Sequence, residues 1–276
     1  MTGENRYPSM NILGISMNCL SYDEMFPLFD HWLSNKKATS HSLAVINVHI
    51  CVTALNNKSL RDIYNSVDLA GIDSKPFLFW ARAFYKRNSD RFYAPDLMLQ
   101  VCGREGGKSY RHFLYGGYPG APERIEGYLR NRFPQLEVVG KYSPPFRDLD
   151  QEEEQAICEM INDSAPDFVW VGLGSPKQDI WIHRQRQRLR GCILIPSGAT
   201  FDFFSGRIRQ APKWIREAGF EWLYRLTQDF QRLWIRYTVY NVAFVLVFIF
   251  QLIKVISFDK QGYLVVLGRR TRFGNV

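Results

Sequence analysis

With 276 residues the chain is long enough for one large α/β domain or a domain plus an appendage, and 46% hydrophobic residues supply ample core material. Thirty-five Lys and Arg against 27 Asp and Glu leave a net charge of +8, which favours anionic partners: nucleotides, diphosphates, nucleic acid or acidic lipid. Five cysteines, at 19, 51, 102, 158 and 192, are scattered without a Cys-x-x-Cys pair, which argues against a disulfide framework or a zinc site and fits a reducing cytosol.

No export signal is expected at residues 1–13, because Glu4, Arg6 and Pro8 stand where a secretory signal needs an apolar core. A short apolar opening at 12–15 is followed by Ser21-Tyr22-Asp23-Glu24, an acidic first turn, so a strand then a helix is predicted. A second apolar run, 43–46, ends in Asn47-Val48-His49 before a helix-like segment over 50–60. Polar side chains just past a strand's C-terminal end face the crevice where such sheets bind ligands, which makes Asn47 and His49 candidates for substrate binding. Their plainer role is local capping and turn bonding.

Residues 66–76 read as a short strand whose end carries Asp73 beside Ser74, aimed at the same crevice. A carboxylate there can accept a proton from an acceptor hydroxyl, although a lone Asp in a turn more often bonds its own backbone. His112 to Gly117 repeats a strand-to-glycine pattern, with Gly116 and Gly117 at the turn, a helix to about Arg132 and another strand over 136–140. Asp148-Leu149-Asp150 invites a metal-binding reading, but acidic residues in a helix's first turn are favoured by the dipole without any metal. No metal site and no cofactor are assigned.

The chain is organised around Phe168 to Asp179, read as strand, tight loop, helix. Four apolar residues suit a strand covered on both faces, and Gly172 and Gly174 let the backbone turn. Ser175 is expected as the N-cap, Pro176 as the first helical residue and Gln178 as the third, closing a capping box. With Lys177 alongside, the free helix N-terminus is a natural anion site. After it come a helix through Leu189, a strand over 193–195, and a small-residue turn over 197–206 containing Gly198 and Asp202.

Near Gly206 the character changes. Residues 207–236 are basic and aromatic, and Arg225, Arg232 and Arg236 stand at i, i+7 and i+11, on one face of a helix suited to clamp a diphosphate. Residues 237–253 carry no charge, just short of the roughly 20 apolar residues of a comfortable span. Trp234, Tyr237 and Tyr240 with Arg236 and Lys254 form an interfacial belt. A helix seated in or on the bilayer surface is favoured, with a true span and a buried core helix as alternatives. The last stretch is a basic tail with a short apolar run over 263–267.

The expected fold is α/β: a Rossmann-like parallel sheet core with helices on both faces over 1–206, a helical membrane-associating appendage over 207–258, and a tail over 259–276. The ordered series Asn47-Val48-His49, Asp68-Leu69 with Asp73, Leu114-Tyr115-Gly116-Gly117, Val171 to Asp179 with Trp181, Phe201-Asp202-Phe203, Ala211-Pro212-Lys213-Trp214 and Glu221 to Leu226 resembles the WecG/TagA/CpsF family of bacterial glycosyltransferases over residues 11–237. The resemblance implies an inverting, metal-independent enzyme at the inner face of the plasma membrane. It would move a sugar from a UDP-sugar donor to a polyprenyl-diphosphate-linked sugar in cell-envelope or exopolysaccharide synthesis. It further implies Asp73 as general base, the glycine loops and Gln178 as nucleotide ligands, and Arg225, Arg232 and Arg236 as the charge that neutralises the leaving diphosphate.

Ser74, Val45 and Gln210 depart from the family pattern, where Gly, Thr and Arg are usual, and Ala94-Pro95-Asp96 replaces a Gly-Ser-Asp. Those changes motivate an alternative, a non-catalytic nucleotide-sugar binder or scaffold retaining the fold. Nucleic acid as a partner is disfavoured by the uncharged apolar segment beside the basic one. Oligomeric state, a homo-oligomer included, is left open.

Overall fold

In a computed structural model, residues 7–35, 39–87, 89–104, 110–258, 264–266 and 269–270 are described, the side chains of Arg232 and Arg236 and those beyond 258 excepted. The chain opens with an antiparallel hairpin, β1 (Ser9–Ile12) and β2 (Ile15–Asn18), turning at Leu13 and Gly14, both with positive φ. This hairpin replaces the single strand expected at 12–15. It does not join the main sheet. Helix α1 (Tyr22–Ser34) follows as expected, its N-terminus fixed by a capping box between Ser21 and Glu24.

Six parallel strands form the core: β3 (His41–Ile46), β4 (Leu69–Ile72), β5 (Arg111–Gly116), β6 (Glu137–Tyr142), β7 (Phe168–Gly172) and β8 (Ile193–Pro196), in the order β4-β3-β8-β7-β5-β6. Successive residues of β7 alternate between two hydrophobic layers, Phe168 and Trp170 on one side, Val169 and Val171 on the other. That two-sided burial is why the strand reads as an unbroken apolar run. The first layer carries α1, α5 (Ala94–Cys102), α6 (Ala121–Arg132) and α9 (Gly198–Phe204). The opposite face carries α2 (Val48–Leu55), α3 (Lys58–Asn65), α7 (Gln151–Asp163) and α8 (Lys177–Gln185). The small-residue stretch after β8 is therefore mostly helix rather than turn. Where one helix was read over 50–60, two short ones form, because Asn57 caps the second through Leu60 N–H at 2.9 Å.

Neighbouring β5 and β7 send their following helices to opposite faces, and so do β8 and β3. The crevice that opens at the C-terminal ends of these strands is the place where open parallel sheets bind ligands. At the ends of β5 and β7, Gly116 and Gly172 approach so closely that a Cβ on Gly116 would lie 2.6 Å from the Gly172 carbonyl carbon, and Gly116 has φ +122°. Helix α4 (Lys75–Tyr85) leaves β4 beside the crevice.

Past the sheet, α10 (Lys213–Ala218), α11 (Glu221–Gln228) and α12 (Phe230–Leu252) follow one another. Asp229, at φ −146° and ψ 61°, separates α11 from α12. Arg225 thus stands on α11 while Arg232 and Arg236 belong to α12, so the three do not share one helical face as their spacing had implied. Helix α12 lies along the body: Tyr240 stacks on His49 at 5.2 Å, Phe244 packs on Phe77 at 5.4 Å and Phe248 on Trp80 at 5.1 Å. Gln251 ties its end to the hairpin, accepting from Leu13 N–H and donating to the Asn11 carbonyl. Its other side, Ile235, Val239, Val242, Leu246, Ile249 and Ile253 at helical spacing, is exposed. By length and composition the segment Leu233–Leu252 is apolar enough to cross a membrane, and with 12% of it buried it is not a core helix. A small antiparallel sheet, β9 (Ile256–Phe258), β10 (Leu264–Val266) and β11 (Arg269–Arg270), follows, and most of the basic tail lies outside the described residues.

Gly116→Ala adds both a strained φ and a clash with backbone that cannot yield. Its cost is expected at about 2–4 kcal/mol, read as a lower urea midpoint at unchanged m-value.

Candidate active site

A cleft of about 1230 Å³ runs along the C-terminal edge of the sheet and beneath the C-terminal helices. Asn47, His49, Asp73, Gly117, Gly172, Gly174, Ser175, Lys177, Gln178, Gly198, Asp202 and Arg225 all line it. Gly116 does not, and serves the close approach of β5 to β7 instead.

At the centre, Gln178 corrects the capping-box expectation. Pro176, not Ser175, precedes α8, and no side chain caps it. Gln178 reaches across the loops: its Oε1 accepts from Gly174 N–H at 3.1 Å and from Gly198 N–H at 3.0 Å. The bland local contact loses to the tertiary one because two loop amides from neighbouring strands converge on the same oxygen, and both would otherwise lack a partner. Gly174, at φ +79°, has open space where a Cβ would be, so its conformation rather than crowding calls for glycine.

Ser175 turns away from capping toward a buried carboxylate. Its Oγ donates to Asp179 Oδ2 at 2.8 Å, and Tyr64 Oη donates to the same oxygen at 3.2 Å. Burial pushes the Asp179 carboxyl up to about 6, against the opposing pull of these two hydrogen bonds. Lys177 is largely exposed and pairs loosely with Asp148 at 3.6 Å.

Asn47 caps α2, accepting from Ile50 N–H at 3.1 Å, as its plainer reading held, while still facing the cleft. His49 is engaged with Tyr240 of α12. Asp202 pairs with Arg207 at 3.6 Å. Arg225 sits over the Phe203 ring at 5.5 Å.

At the β4 end Asp73 follows directly on the strand. Arg91 binds it three times, Nε to the Asp73 carbonyl at 2.6 Å and to Oδ1 at 3.1 Å, and Nη2 to Oδ1 at 3.0 Å, leaving Oδ2 without a partner among the described residues. The same guanidinium reaches Glu221 Oε2 on α11 at 3.2 Å, and Glu221 Oε1 accepts from Tyr93 Oη at 2.6 Å. Burial works against the charge on Arg91, yet the two carboxylates hold its pKa above the ordinary arginine range. Gln210 Nε2 donates to Tyr93 Oη at 3.1 Å, and Ser74 Oγ accepts from Val48 N–H at 3.1 Å. Gln210 is thus part of the network around Asp73, whereas Ser74 holds the start of α2.

The sequence model of the Glycosyl transferase WecG/TagA/CpsF family matches residues 10–257. The chain belongs to this family.

Several polar residues of this glycosyltransferase's cleft carry no motif of their own. Arg91, Tyr93, Arg184, Arg207 and Arg216 line it, and nothing in their local sequence separates them from other surface arginines and tyrosines. Glu221 opens a family-like run, but its pairing with Arg91 across 130 residues is a tertiary fact. Among the described residues no cluster of three or more His, Cys, Asp or Glu side chains is arranged to hold a metal ion.

Because the folded chain retains a proton on Asp179 that the unfolded chain releases, its contribution to stability is full below about pH 4. It is lost as pH rises through about 6. Asp179→Asn is therefore expected to gain on wild type by about 2 kcal/mol between pH 4 and pH 7, measured as the difference of two urea-denaturation series.

Proposed function

We propose that the chain is an inverting, metal-independent transferase. It would move a sugar, an N-acetylhexosamine, hexose or uronic acid, from a UDP-sugar to a polyprenyl-diphosphate-linked sugar at the cytoplasmic membrane surface. The observation that carries this reading is the tether on Asp73: Arg91 holds Oδ1 and the backbone carbonyl, while Oδ2, in the same cleft as the glycine loops, is unengaged among the described residues.

Oδ2 takes the proton of the acceptor hydroxyl as its oxygen attacks the anomeric carbon. The bond from that carbon to the diphosphate breaks on the opposite side and UDP departs, so the configuration inverts. Charge developing on the diphosphate has to be met by fixed cations, and guanidinium matches phosphate oxygens in pairs. Arg225 lines the cleft, and Arg232 and Arg236 are proposed to join it from α12. The Gly174 loop, with the Gly198 loop bound to it through Gln178, would receive the diphosphate. Asn47, His49, Gly117 and Asp202 would shape the rest of the substrate site.

Helix α12 exposes its outer face, Val242 by 60%, and packs its inner face on α4 through Phe248 and Trp80, where Phe79 is 71% exposed. An exposed apolar face of this kind, with Trp222 packed on Tyr237 at 6.0 Å near its start, suits seating at the lipid interface. We propose residues 1–206 as the catalytic core and 207–258 as the appendage that brings it to the acceptor.

Asp73→Asn is expected to lower kcat by at least about 100-fold while UDP affinity changes little, in an EDTA-containing transfer assay with a UDP-sugar panel and bacterial membranes as acceptor source. Turnover near wild type in that variant would reject Asp73 as the base. Tight UDP binding with no turnover from any donor would select the non-catalytic reading. Val242→Asp with Ile249→Asp is expected to reduce co-sedimentation with anionic phospholipid vesicles about tenfold or more at unchanged Tm, since neither side chain is packed.

A further inference from the structure

Beneath the Gly174 loop lies a carboxylate that the transfer chemistry does not use. Asp179 is 5% exposed, in the first turn of α8, and its Oδ2 collects the hydroxyl protons of Ser175 and Tyr64. Ser175 lines the cleft, but it has one proton to give, and a charged Asp179 takes it. In that state Ser175 offers only lone pairs to an anionic guest, with a negative charge directly behind it.

We propose that Asp179 is a positioning residue that couples the binding of a nucleoside diphosphate to the uptake of one proton. A proton taken from solvent by the carboxylate is donated to Ser175 Oγ. The Ser175 O–H then turns outward to a phosphate oxygen, and the charge behind the loop disappears. This inference rests on the nucleotide reading of the cleft and adds a regulation to it: diphosphate and proton each raise the affinity for the other.

The groups that face Asp179 do not supply this coupling. Tyr64 from α3 and Cys51 from α2 are both pushed up by burial and stay neutral. His183 and Arg186, further along, share a small internal cavity with Asp179, Tyr64 and Ser42 of β3. Burial, aided by Arg186, lowers the His183 pKa. His183 and Arg186 are unchanged when residue 179 alone is altered, and so is the ligand's own titration. The ratio of two affinities therefore cancels both.

The test is UDP binding by calorimetry at pH 5 and pH 8, wild type against Asp179→Asn, whose neutral amide can donate to Ser175 as the protonated acid would. At pH 8 the variant is expected to bind at least about threefold more tightly than wild type, and at pH 5 the two should agree within about twofold. Tyr64→Phe, which withdraws a bond from the carboxylate, is expected to move the wild-type transition to higher pH. UDP binding with a ratio that does not change with pH would make Asp179 a structural residue only and overturn the coupling. Absence of UDP binding by either protein would instead reject the nucleotide reading, and the coupling with it.

Discussion

One guanidinium is shared by two carboxylates that the chain keeps 148 residues apart, Asp73 at the end of a core strand and Glu221 at the start of α11. Asp73 is thereby held through Oδ1 and its backbone carbonyl, and Oδ2 has no partner among the described residues. Arg91 also joins the edge of the sheet to the helices that cover the cleft. Tyr93 and Gln210 extend the network, and Arg216 adds a second link by pairing with Asp96 at 2.8 Å. Breaking the shared pairing would therefore disturb both the orientation of Asp73 and the seating of α11.

The middle of the cleft is governed by a comparable economy of atoms. A single amide oxygen, that of Gln178, satisfies two backbone N–H groups on neighbouring loops, so the two loops are joined into one piece. Below it the Ser175, Tyr64 and Asp179 cluster supplies hydrogen bonding in a dry setting, where the carboxyl is pushed up to about 6 by burial. A group in that range sits close enough to neutrality to respond to a neighbouring anion.

The C-terminal helices connect this chemistry to a surface. Helix α12 packs one aromatic stripe against α2 and α4 through Tyr240, Phe244 and Phe248 and turns an aliphatic one outward. Water is a poor neighbour for that outer stripe, whereas hydrocarbon at a membrane interface is not. His49, read from sequence as a crevice residue, stands at the junction of the two, lining the cleft and stacking on Tyr240.

Much of the architecture was legible in local pattern. Apolar runs without alternation announced buried parallel strands at 43–46, 112–116, 168–172 and 193–195, because strands covered on both faces need no polar side. The glycines, together with Asp73 directly after β4, marked the strand ends where a site could form. Local pattern misjudged what depends on distant partners. Some misreadings were local all the same: the hairpin before α1, the break at Asp229 that separates Arg225 from Arg232 and Arg236, and the turn of Ser175 toward Asp179, four residues on. Chain periodicity determined the strands of the main sheet and the glycines and Asp73 at their ends, since those follow from hydrophobic spacing and backbone chemistry within a dozen residues. Only the tertiary structure decided that Gln178 joins two loops and that Arg91 is divided between Asp73 and Glu221, because a hydrogen bond's partner is chosen by proximity in space, which spacing along the chain does not encode.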